Sequence, residues 1–248
     1  NLEEVQNILN TLSIPIGPRH CFMVIGSFQG QTWDKERLGK HKNRILTTIN
    51  HFYPQAVATY KSGMYILLIP HTNMDQVLPV APRLQKELAL QLENNPSFPK
   101  ANVYIGIGES VATLDQAALS FQQANQILRI LPQIDIGPVG YYPQCGSWTL
   151  LCSLSSQKEL VNSFINGYLQ PINQLKDAGE MKKTLEIFLK HNGNLKQTAK
   201  ALFIHQNTLK YRLEKIEDLT GFNLADSELR LNLSLALRLE KLFAANAS

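Results

Sequence analysis

The run His205-Gln206-Asn207-Thr208-Leu209-Lys210-Tyr211-Arg212 holds two amides, two hydroxyls and two cations behind a histidine. Those side chains suit the base edges and phosphates of duplex DNA. Gln206 and Asn207 each carry the donor and acceptor pair that matches adenine. Arg212 fits guanine or a phosphate, and Thr208 and Tyr211 can hold the sugar-phosphate backbone. Lys196, Thr198, His205 and Lys210 complete the expected contact set, the lysines as counter-charges to phosphate. Catalytic, cofactor and metal chemistry are not expected. His20, His41, His51, His71, His191 and His205 show no spacing suited to one metal, and Cys21, Cys145 and Cys152 form no CxxC pair. The cysteines read as reduced thiols, some of them core. Gly106-Ile107-Gly108 follows a strand, but Val111 and Ala112 stand where a dinucleotide fingerprint places its third glycine, so the pair is expected to end a strand tightly.

A helix must present the contact set. Leu195, Ala199 and Leu202 face one way on a first helix, and Leu209, Leu213 and Ile216 repeat at helical spacing on a second. These faces bury against each other only if the chain turns sharply at Phe203-Ile204-His205. That turn lacks glycine, so an apolar turn residue is expected to anchor the corner. In such a helix-turn-helix the start of the second helix meets base edges, and its free amide hydrogens favour an anion. Asn194 is suited to cap the first helix, Thr220-Gly221 to stop the second, and Asp226 to cap a closing helix over about 227–244. Leu229, Leu233, Ala236, Leu237 and Glu240 form one mostly apolar stripe of the closing helix, and Leu231, Leu235, Leu239 and Leu242 lie off it. It is expected to be sandwiched, in the domain core or against a second subunit.

Charge points the same way. Residues 181–248 hold 11 Lys+Arg against 7 Asp+Glu, and residues 1–180 hold 13 against 13, so the whole net charge of +4 sits in the last quarter. Between Lys182 and Lys215 there are 8 cations against only Glu186 and Glu214, a pattern that displaces counterions from a polyanion. The alternative is that these are solvated faces of an ordinary helical bundle.

The preceding region reads differently. Residues 21–28 are strand-like, 35–53 are helical in pattern, and 56–61 and 64–70 are two β-rich runs around Ser62-Gly63, a hairpin signal. A helix over 77–94, a strand over 102–108, a helix over 114–131 and an edge strand over 139–142 follow. The order β-α-β-β-α-β is that of a ferredoxin-like sheet with helices on one face. Residues 146–179 read as short connecting helices around Pro171 and Gly179. Leu2, Val5, Leu9 and Leu12 form a short amphipathic stripe ending at Pro15, expected to be a helix entering from an upstream domain. The expected organisation is a connecting helix and linker over 1–18, a ferredoxin-like domain over 19–145, a helical connector over 146–179 and an all-α DNA-binding domain over 180–248. The fold class is α+β, and no segment approaches the apolar length of a membrane span or signal peptide.

The run from His205 to Leu213 resembles the PucR-type, carbohydrate-diacid-regulator-like transcription factors, whose hallmark is His-x-Asn-Thr-Leu-x-Tyr-Arg-Leu. The likeness extends through Thr184-Leu185 and His191-Asn192-Gly193-Asn194, and onward through Ile216, Leu219-Thr220-Gly221 and the leucine-rich final helix. Gln206 stands where members often carry Arg. The same resemblance implies that the middle region is a degenerate GGDEF-like domain, its hairpin Tyr60-Lys61-Ser62-Gly63-Met64-Tyr65 sitting where a nucleotide cyclase carries its acidic signature. Neither that hairpin nor Gly26-Ser27-Phe28-Gln29 supplies a carboxylate for metal-assisted phosphoryl chemistry, so no enzymatic activity is expected. The resemblance implies a cytoplasmic, bacterial-type regulator of transcription. Duplex DNA, a homodimer partner and an unidentified small-molecule effector are the expected partners. The competing function is a ligand-sensing or protein-interaction module whose helix-turn-helix contacts protein.

Overall fold

Met23, Val24 and Ile25 are consecutive in the first strand and all fully buried, so the sheet built on that strand must be covered on both faces. The computed structural model describes residues 18–29, 32–33, 39, 41–93 and 102–244. It divides into two units, 1–150 and 151–248. The expected helix over residues 1–15 lies outside the described residues.

In the first unit Arg19–Gln29 (β1) pairs at its end with Thr32–Trp33 (β2). The helix Lys42–Phe52 (α1) leads to the hairpin Val57–Lys61 (β3) and Met64–His71 (β4). Ser62 and Gly63 both have positive φ, 54° and 82°, the two-residue turn whose twist matches the flanking strands. Ala81–Glu93 (α2), Asn102–Ile107 (β5), Ala117–Ile130 (α3) and Val139–Tyr141 (β6) complete the unit. The helix expected from residue 77 starts at Ala81, after a single 3-10 turn at Met74–Gln76 whose cap is Asn73. The strands lie in the order β3-β4-β1-β5-β6, antiparallel except for β5 and β6, which run parallel around the crossover helix α3.

The two faces have separate cores. Cys21, Met23 and Ile25 of β1 pack with Tyr65 and Leu67 of β4 beneath Ile45 and Ile49 of α1 and Leu84 and Leu88 of α2. Val24 points to the other face, where it meets Ala124 and Leu128 of α3 with Phe22, Tyr104 and Phe121 around them. Helices therefore lie on both faces, which corrects the expectation of a sheet covered on one. Gly106 and Gly108 explain how α3 fits. A Cβ at Gly106 would stand 2.1 Å from the Ala124 carbonyl oxygen, and one at Gly108 1.9 Å from that of Ser120. The pair is the seat on which the backbone of α3 rests; in the core on the opposite face, burial pushes the Cys21 thiol up to about 12.

The second unit is helical. Ser147–Cys152 (α4) spans the division between the units, and Lys158–Asn173 (α5) is one helix of 16 residues with Pro171 in its last turn. Val161, Ile165, Leu169 and Ile172 form its buried stripe, at the spacing of one helical face. Ala178–Lys190 (α6), Leu195–Leu202 (α7), Gln206–Thr220 (α8) and Ser227–Ala244 (α9) follow. The closing helix α9 packs on α5 and α6, so Leu239 and Leu242 are buried within the unit along with Leu233 and Ala236. Leu231 is exposed.

Candidate nucleic-acid interface

Two short turns fix where α7 and α8 point. Asn192 and Gly193, with φ of 52° and 83°, end α6, and the Gly193 N–H donates to the Phe188 carbonyl at 2.9 Å. Asn194 then caps α7, its Oδ1 accepting from the Gln197 N–H at 3.0 Å. The second turn begins at Phe203, which is left-handed at φ 57° and ψ 38°. The Phe203 N–H donates to the Lys200 carbonyl at 3.2 Å, and the Ile204 N–H to that of Ala199 at 3.1 Å. Phe203 takes the conformation that glycine usually supplies, yet its side chain is 96% exposed. The corner is therefore held by backbone hydrogen bonds and half-buried Ile204, not by an anchored aromatic.

The contact set separates into two groups. Lys196, Gln206, Asn207, Thr208, Lys210 and Tyr211 are exposed, the last five within the first two turns of α8. Leu209, Leu213 and Ile216 are buried on the opposite side of that helix, and α8 packs on α5, α6 and α7. His205 is the cap of α8: its ring Nδ1 accepts from the Asn207 N–H at 3.2 Å. Asn207 thus receives the cap at the second helical position and leaves its own amide side chain in solvent.

Thr198 and Arg212 turn inward. Thr198 is fully buried, and its hydroxyl donates to the Asn194 carbonyl at 2.7 Å. The Arg212 guanidinium forms an ion pair with Glu180 in the first turn of α6 and donates to Thr184 Oγ1 at 3.3 Å. Other acids hold cations in the same way. Asp177 pairs with Lys215 at 2.8 Å, Glu240 with Lys182 at 2.9 Å, and Glu186 with Lys241. The hydrogen bond from Lys215 holds the Asp177 carboxyl below its ordinary range. With these cations neutralised, Lys196, Lys200 and Lys210 remain exposed on α7 and α8, and the stretch from Ile187 to Leu213 contains no acid. The local field is positive beside a row of amides and hydroxyls, and the free N–H groups at the start of α8 add to it.

Glu180 and Thr184 are the residues of this region that the motif did not single out as partners of Arg212. Asn194 is detectable from its cap position, whereas Glu180 is 32 positions from Arg212 and carries no local signal.

The PucR C-terminal helix-turn-helix domain matches residues 181–239, and the GGDEF-like domain matches residues 1–130. The chain is 33% identical over 192 residues to the proline-responsive transcriptional activator PutR of Bacillus subtilis (strain 168), covering 75% of this chain and 45% of that protein. It is 42% identical over 79 residues to the carbohydrate diacid regulator of Escherichia coli (strain K12), covering 31% of this chain and 20% of that protein. The match to the purine catabolism regulatory protein of Bacillus subtilis (strain 168) is 37% identical over 87 residues, 35% of this chain and 16% of that protein. The chain spans less than half the length of each of these relatives.

Proposed function

The chain belongs to the PucR/CdaR-type family of transcriptional regulators, and from that premise we propose that its second unit reads duplex DNA with the start of α8 in the major groove. One observation carries this reading: Gln206, Asn207, Thr208, Lys210 and Tyr211 stand exposed together in the first two turns of α8, within a stretch of chain, Ile187 to Leu213, that contains no acid. Gln206 and Asn207 read base edges, Thr208 and Tyr211 hold the backbone, and Lys196 and Lys210 meet phosphates. The inward partners of Arg212 and Thr198 give those two the role of positioning the reading helix. The regulator acts as a homodimer, since a single helix-turn-helix reads few base pairs, and it acts in the cytoplasm. Among the described residues no helix is long and apolar enough to cross a membrane.

The first unit responds to a small-molecule effector and turns over no nucleotide. In support, it has a cleft of about 380 Å³ lined by residues that include Gln85, Tyr104, Asp135 and Gly137, within the size range of small-ligand sites. Its hairpin carries Ser62-Gly63 in place of carboxylates.

The test uses the full chain and a duplex that it selects from a random-sequence pool. Affinity should fall steeply with salt. Asn207→Ala should cost about 1–3 kcal/mol on the selected duplex and relax discrimination at one position, while Lys196→Ala weakens selected and scrambled duplexes alike. Because His205 supplies the cap, Asn207→Ala should melt like the wild type. Salt-independent binding, or none, refutes the proposal and favours a helix-turn-helix that contacts protein.

A further inference from the structure

Phe203 combines two properties that work against the fold. It is an aromatic ring left 96% exposed, and it is a residue with a Cβ held in the left-handed region at φ 57°. Burying the ring would remove apolar surface from water, and glycine at this position would carry no left-handed penalty. Strain of this kind persists where surrounding structure and function hold it in place.

Its surroundings identify what the ring meets. Phe203 lies between Lys200, in the last turn of α7, and His205-Gln206-Asn207 at the start of α8. From Ile187 to Leu213 the chain holds no acid, and Lys196, Lys200 and Lys210 stand exposed on α7 and α8. An exposed apolar ring with a cationic rim complements a polyanion that has apolar edges, and it is continuous with the surface proposed above to read DNA. A duplex offers such edges in the thymine C5 methyl group and the deoxyribose ring. We infer that Phe203 is a further DNA-contacting residue, its ring packing against one of these apolar edges next to the bases read by Gln206 and Asn207. The inference rests on the DNA-reading function of the second unit.

The test compares the wild-type full chain with Phe203→Gly and Phe203→Asn, both residues at ease in the left-handed region. Each variant should melt at or above the wild-type temperature while its affinity for the wild-type-selected duplex falls about tenfold, the worth of roughly half a phenylalanine side chain returned to water. Replacing thymine by deoxyuridine removes the C5 methyl group and separates the two edges. A methyl contact predicts that one such replacement costs the wild type the same factor and the variants nothing. A sugar contact predicts that every duplex weakens alike in the variants and that deoxyuridine has no effect. Wild-type affinity in both folded variants overturns the inference and assigns the ring to a protein partner. Lower melting temperatures in both also overturn it, since Phe203 would then serve the fold. A wild-type chain that selects no duplex defeats the DNA-reading function itself, which distinguishes that failure from this one.

Discussion

Replacing Arg212 by alanine should make the helix-turn-helix unit melt earlier without changing how DNA binding responds to salt. The guanidinium side chain is only 14% exposed and has two partners, the Glu180 carboxylate and Thr184 Oγ1. Neither partner is stranded by the substitution. Glu180 is 54% exposed and regains water, and the Thr184 hydroxyl still donates to the Glu180 carbonyl at 2.8 Å. The loss is one charge-assisted hydrogen bond screened by solvent, one long hydrogen bond and the packing of the Arg stem, about 1–2 kcal/mol in total. For a unit of roughly 100 residues that corresponds to a fall in Tm of about 5–10 °C. Calorimetry of the full chain reads the first quantity, and a salt titration on the selected duplex reads the second. Arg212→Ala should keep the wild-type salt slope, because its charge is committed to Glu180, whereas Lys196→Ala should melt normally and lose about 0.9 from the slope. Glu180→Gln combined with Arg212→Ala should cost less than the two singles added. An Arg212→Ala chain that melts unchanged and loses about one from the salt slope would refute the reasoning and return the guanidinium to a phosphate.

Two further predictions concern the first unit. Gly108→Ala would place a Cβ 1.9 Å from the Ser120 carbonyl oxygen and force α3 off the sheet. It would break the Ser120 hydroxyl's bonds with the Phe22 N–H at 2.9 Å and the Glu109 carbonyl at 2.8 Å. The cost should be about 3–5 kcal/mol, whereas Gly167→Ala, facing open space inside α5, should gain about 0.5–1 kcal/mol; equal melting of the two variants contradicts this packing. Burial holds the His20 and His71 imidazoles below their ordinary 6.5, with the Arg19 charge adding to the effect at His71. The fold thus favours the neutral form of both, so as pH falls through 6.5 the unfolded chain takes up protons first and stability, complete above that pH, is lost below it. Melting should occur earlier at about pH 5.5 than at about pH 7.5, and His71→Gln should flatten the difference; a melting temperature that rises toward acid pH contradicts the assignment.

What could be read from the sequence is what acts over a few residues. The Asn194 and Asp226 caps bond to backbone amides three and two positions on, Gly221 takes the left-handed stop at φ 70°, and α9 runs over Ser227–Ala244 as its spacing predicts. Periods of two and 3.6 likewise mark most strands and helices of the first unit, because burial of one face imposes them locally. Long-range neighbours decided the rest. From its neighbours in the chain Arg212 reads as a base or phosphate contact, and only the fold brings Glu180 beside it from 32 positions away. Thr198 and Phe203 exchange the orientations that their polarity suggests, because a hydroxyl can be satisfied by its own helical turn while a left-handed corner projects its ring into solvent. Gly106 and Gly108 mark the seat of α3 only once that helix crosses to the second face of the sheet, where a side chain would occupy the space of its backbone.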